Sequence, residues 1–171
     1  METGWKPMPV IIKIIWIIMI VNASLSLFTL ISVYSQGTDL VGITFFGLTA
    51  VNLVFAINLL LPVLLIVGIY KRFKYIWAAV VVYFVFIAVD ALLSIPLIGS
   101  KVTMLAEQQG ESIEKLGEEL FYKIAHFTLL IMIIMGAAFN MAIGIIFYIK
   151  RKYFMNPPVA MDFNKDMQLP S

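Results

Sequence analysis

The chain has 171 residues, of which 62% are hydrophobic and only 13% charged, with one histidine and no cysteine. At a mean hydropathy of +1.00, a water-soluble domain of this size would expose large apolar patches, so a soluble fold is excluded. The lack of cysteine excludes a disulfide framework, thiolate metal sites and cysteine nucleophiles, and the net charge of +2 hides two groups of opposite sign.

Apolar residues gather into four runs, Val10–Tyr34, Leu40–Tyr70, Ile76–Ile98 and Phe121–Ile149. Each exceeds the ~20 residues that carry a helix across about 30 Å of hydrocarbon. The runs are continuous rather than alternating, which favours helices over barrel strands. The expected fold is an all-α integral membrane protein: one four-helix transmembrane domain over residues 1–155, with spans near 10–34, 43–70, 76–98 and 121–149.

Pro7 and Pro9 hold back the start of the first span, and Trp5 and Trp16 suit an interfacial belt. The run is too long for a secretory signal and lacks a small-x-small cleavage site, so it reads as a retained helix. Asn22, Ser26 and Thr29 form one polar stripe along it. Ser35 to Asp39 is a turn cluster, which should leave the first two helices as a tight antiparallel hairpin. Asn52 and Asn58 follow on the second span, where Pro62 should produce a kink.

Lys71, Arg72 and Lys74 interleave with Tyr70, Phe73 and Tyr75, a pattern typical of interface anchors. The third span carries Tyr83 and Asp90 and is expected to close at Pro96 and Gly99. In the polar stretch that follows, Ile113, Leu116 and Leu120 recur at i, i+3 and i+7, which predicts a short amphipathic extracytoplasmic helix before the fourth span. The fourth span carries Tyr122, His126 and the close-packing series Gly136, Asn140 and Gly144. Lys150, Arg151 and Lys152 end it, and residues 156–171, with Pro157 and Pro158, read as a cytoplasmic tail.

Nine of the twelve Lys and Arg residues flank the chain ends and the second-to-third connection, while six acids lie in the other two loops. The positive-inside rule then places both termini in the cytoplasm, and the composition points to a prokaryotic plasma membrane. There is no polar domain for a nucleic-acid partner, and the expected surroundings are lipid.

An ionisable group at bilayer depth is costly, so Asp90 and His126 are the foremost candidates for function. They occupy similar depths, and a hydrogen bond between them across the third and fourth helices is expected, with Tyr83 or Tyr122 nearby. Such a pair either fixes helix register or handles a proton or cation. Asn22, Asn52, Asn58 and Asn140 read as interhelical glue or as the lining of a hydrated path. No catalytic set, metal cluster or cofactor motif can be assembled from these residues. The expected role is a non-catalytic accessory or assembly subunit that packs against another membrane protein or its own copies. The alternative is a homo-oligomeric channel or small-solute transporter with a polar path through Asp90 and His126.

Overall fold

The structure, a computed structural model, describes residues 8–109 and 118–155. The first helix, α1 (Val10–Gln36), starts directly after Pro9, whose carbonyl accepts a hydrogen bond from Lys13 N–H at 3.0 Å. A proline is tolerated there because an N–H at that position would have no helical partner. The helix stops at Gly37, where φ is +80° and the N–H donates to Val33 O at 2.8 Å. A Cβ on Gly37 would lie 2.6 Å from Phe45 O, so only glycine fits.

The turn cluster is not a simple reversal between helices. Strands β1 (Thr38–Leu40) and β2 (Ile43–Phe45) form an antiparallel ribbon that pairs Thr38 with Phe45 and Leu40 with Ile43. Val41 (φ 52°) and Gly42 (φ 72°) make a turn with both central residues left-handed, which matches the twist of the flanking strands. The helical expectation holds with this small ribbon added to it, while the second helix begins at Gly47 rather than near residue 43. Leu40, Val41, Ile43 and Phe45 are apolar strand formers, and hydropathy alone merges them with the span that follows.

Helix α2 (Gly47–Tyr70) contains a π-helical segment, Phe55–Leu60, immediately before Pro62. Leu61 N–H donates to Ala56 O, five residues back. In that register the Ile57 carbonyl would pair with the nitrogen of residue 62, which is a proline and has no hydrogen. The orphaned Ile57 O is satisfied instead by the Tyr83 hydroxyl at 3.2 Å, from the neighbouring helix.

Helix α3 (Ile76–Leu93) ends short of the expected Ile98: Ser94 N–H bonds back to Asp90 O and Ala91 O, and a 3₁₀ turn over Ile95–Leu97 absorbs Pro96. Gly99 does not close a helix but lies in the first turn of α4 (Ile98–Gln109). Ile98 and Val102 are buried, and α4 packs on α5 (Glu118–Ile149). Ile113 and Leu116, on which the amphipathic-helix expectation rested, lie outside the described residues, as does the segment 156–171. A last turn, α6 (Arg151–Met155), follows α5.

Four helices, Val10–Gln36, Gly47–Tyr70, Ile76–Leu93 and Glu119–Ile149, are long and apolar enough to cross a membrane, which marks a multi-pass membrane protein. They pack as two pairs, α1 along α2 and α3 along α5. The pairs meet at the end that carries the basic residues. There Ile12, Ile15, Leu65, Ile69, Val80, Phe147 and Phe154 form one buried cluster. Trp16 contributes an indole N–H to Ile66 O at 3.0 Å, tying α1 to α2. Toward the ribbon end the pairs separate, and most of α1 beyond Ala23 is exposed or half-buried.

Candidate functional site

Where the two pairs part, α1 and α5 face each other across a cavity of about 400 Å³ without packing together. α1 lines it with Asn22, Ser26 and Thr29, α2 with Asn58 and Pro62, α3 with Tyr83 and α5 with Asn140. Met19, Phe84 and Ile143, all buried, line it too and belong to the core at the basic end. Four polar positions singled out from sequence, Asn22, Asn58, Tyr83 and Asn140, therefore share one space. Asn52 is exposed and lines none of the three principal cavities.

The polar side chains on this wall are not equivalent. Ser26 Oγ donates to Asn22 O and Thr29 Oγ1 to Ser26 O, each at 2.9 Å, and Asn140 Nδ2 donates to Gly136 O at 2.8 Å. Among the described residues, the side-chain amides of Asn22 and Asn58 have no hydrogen-bond partner. An unpaired amide in hydrocarbon costs roughly 2–7 kcal/mol, so this wall requires water or a polar occupant.

Asp90 and His126 are not hydrogen-bonded to each other. The Asp90 carboxylate accepts the backbone N–H of Val41 at the tip of the ribbon. His126 is exposed on α5, and among the described residues nothing hydrogen-bonds to it. Tyr122 is likewise exposed. The expected pair fails because the sequence conceals the ribbon, whose N–H reaches the carboxylate. Asp39, on the ribbon, accepts the Thr44 hydroxyl at 2.7 Å and forms an ion pair with Lys101 of α4. The ribbon is thus bound to the ends of both α3 and α4, contacts that the apparent turn cluster gave no reason to expect.

Two further spaces adjoin this region. One of about 40 Å³ is lined by Asp39, Asp90, Asn58 and Ile87, and an open groove of about 640 Å³ is lined by Thr38, Asp39, Ser100 and Lys101. Among the described residues, no group of three or more His, Asp or Glu comes together that could hold a metal ion.

The glycines of α5 divide. A Cβ on buried Gly144 would meet Val81 O at 3.8 Å and Phe84 Cβ at 3.9 Å, so its close neighbour is α3 of the same chain. Gly136 faces open space. At the basic end, Lys71, Lys74, Lys150 and Lys152 are exposed, and the Arg151 guanidinium lies 4.2 Å from the centre of the Tyr148 ring. Arg72 differs from these: it is buried, has φ 55°, donates to Tyr153 O at 2.7 Å and sits 4.1 Å from the centre of the Tyr153 ring. Burial pushes the Tyr153 hydroxyl above its ordinary pKa, partly countered by the Arg72 charge.

The fold and the site define a class: a multi-pass helical membrane protein of four spans, with a polar cavity between two helix pairs. Comparison with family models, curated proteins and solved structures gives no match.

Proposed function

We infer that this chain is a non-catalytic accessory or assembly subunit, and that it works by receiving a transmembrane helix of another subunit in the cleft between α1 and α5. The observation that supports this reading is the cleft itself: two spans face each other without packing, and the Asn22 and Asn58 amides are unpaired on its wall. Lipid tails offer those amides no hydrogen bond. A helix bearing small and hydrogen-bonding side chains does, and only a membrane-embedded partner reaches that depth. Gly136, open on α5, lets such a helix approach closely.

The charge distribution supports a cell-membrane location with the basic end and both termini cytoplasmic and the ribbon and α4 extracytoplasmic. Lys71, Lys74, Lys150, Arg151 and Lys152 then face anionic head groups. A photo-crosslinking residue placed at Thr29 or Phe139, both on the cleft or beside it, should join the chain to a membrane protein, while one at exposed Val82, which lines none of the three cavities described above, should not. Particle mass in nanodiscs then distinguishes a second copy from a different subunit. Absence of adducts together with a bare monomer would refute this reading.

A further inference from the structure

The outer ends of the two helix pairs are tied together through the ribbon. Its tip is a strained turn: Val41 is β-branched yet has φ 52°, a conformation such residues rarely adopt. Backbone strain of this kind persists where surrounding contacts over-determine it. Here the Asp90 carboxylate accepts the Val41 N–H, and a Cβ on Gly42 would lie 3.0 Å from Leu93 O, so the tip is seated on the end of α3. Asp39 holds the Thr44 hydroxyl with one carboxylate oxygen and pairs with Lys101 of α4 through the other.

The two helices that the ribbon joins are soft at one level. In α2 the π-helical segment Phe55–Leu60 and Pro62 interrupt the ordinary hydrogen-bond ladder. In α1 the hydroxyls of Ser24 and Ser26 bond back to Ile20 O and Asn22 O, an arrangement that bends helices. The soft points adjoin one another on the cavity, since Asn22, Ser26, Asn58 and Pro62 all line it. On the basic side of that level, Ile12, Ile15, Leu65 and Ile69 fix α1 and α2 in the apolar cluster. On the other side α1 leaves the core and does not pack on α5.

We propose that the ribbon is a strap that sets the width of the cleft. With its ties made, the outer halves of α1 and α2 are held to the ends of α3 and α4. With the ties released, those halves swing about the π-helical segment and Pro62, and the mouth of the cleft opens. Roughly 20 Å of helix lies between Pro62 and the start of α2, so a change of ~15° in the bend moves the mouth by about 5 Å, half a helix diameter. As regulation of the cleft the proposal rests on the reading that a partner helix is received there, but the movement itself needs no partner.

The natural absence of cysteine makes the movement measurable. In the full-length protein in nanodiscs, nitroxide labels on Thr29→Cys and Phe139→Cys read the mouth by pulsed dipolar spectroscopy, and labels on Lys74→Cys and Lys150→Cys read the basic end. Asp90→Leu should lengthen the mouth distance by about 5 Å and broaden its distribution, more so with Lys101→Met added, while the basic-end distance stays fixed. Asp90→Asn, whose amide oxygen still accepts the Val41 N–H, should keep the original mouth distance. An unchanged mouth distance in the Asp90→Leu, Lys101→Met protein, an equal change at both ends, or an effect of Asp90→Asn as large as that of Asp90→Leu would overturn the proposal. Photo-adducts from Thr29 are a separate readout: adducts with an unmoved mouth remove the strap and leave the cleft reading standing, and a mouth that opens without adducts does the reverse.

Discussion

At the basic end, Phe147 and Phe154 stack with ring centres 5.9 Å apart inside a cluster to which every span contributes, and Arg72 binds α6 to the connection between α2 and α3. At the ribbon end, α1 and α5 do not pack together; Ile98 and Val102 are buried where α4 packs on α5, and the ribbon is held to the helices by polar contacts, Asp90 to Val41 N–H and Asp39 to Lys101. One end is held by a single large apolar cluster, the other by smaller apolar contacts and a few directional bonds around a cavity. Packing of the first kind fixes position tightly, whereas the second leaves room for an occupant.

The sharpest way to break this contrast is to remove one large side chain from each end. Phe147→Ala should destabilise the folded bundle by about 3–5 kcal/mol, read by reversible denaturant unfolding in mixed micelles. Phe139→Ala, half-exposed on the cavity, should cost less than about 1 kcal/mol. Equal losses would show that the cleft is as tightly packed as the core.

Arg72→Ala comes next, with an expected loss of about 1.5–3 kcal/mol for a charged hydrogen bond in the same assay. The variant should also raise the Tyr153 pKa further, because burial then acts without the opposing charge. The sign follows: with the folded-state value above the ordinary 10.0, this tyrosine's contribution to stability is complete below that pH and is lost as pH rises through the folded-state value. Phenolate absorbance during alkaline titration checks both statements.

A double-mutant cycle probes the π-helical segment between the two ends. Tyr83→Phe should cost about 1 kcal/mol, since it leaves the Ile57 carbonyl unpaired. In a Pro62→Ala background the restored N–H can serve that carbonyl, and the same change should cost almost nothing. A cost unchanged by the background would mean that Tyr83 acts through packing alone. The smallest effect is expected on α5: Gly136→Ala should stabilise by about 0.5–1 kcal/mol through helix propensity, because open space faces it. If Gly136→Ala instead abolishes adducts from Thr29, a partner helix uses that position.

The four spans were legible because the hydrocarbon thickness imposes one long apolar run per crossing, and the runs at 10, 76 and 121 start within a few residues of α1, α3 and the fourth span of the structure. The stripe of Asn22, Ser26 and Thr29 was legible from helical periodicity, which places i, i+4 and i+7 on one face. The ribbon was not, since Leu40, Val41, Ile43 and Phe45 are as apolar as the span beside them. The end of α3 was misplaced because Pro96 sits in a 3₁₀ turn that begins earlier than the proline itself shows. Arg72 looked like one more interfacial cation among Lys71 and Lys74, and nothing local separates a buried guanidinium from an exposed one.

Sequence by itself determined that the chain has four stretches long and apolar enough to cross a membrane as helices, because that follows from local hydropathy and a fixed rise per residue. Tertiary structure alone decided the partners of the polar groups. Asp90 met a ribbon amide rather than His126, Tyr83 met a carbonyl orphaned by a proline on another helix, and Asn22, Asn58 and Asn140 came to face one cavity. Such pairings depend on how helices rotate and cross, and those angles are set by packing between segments far apart in the chain, on which a local pattern carries no information.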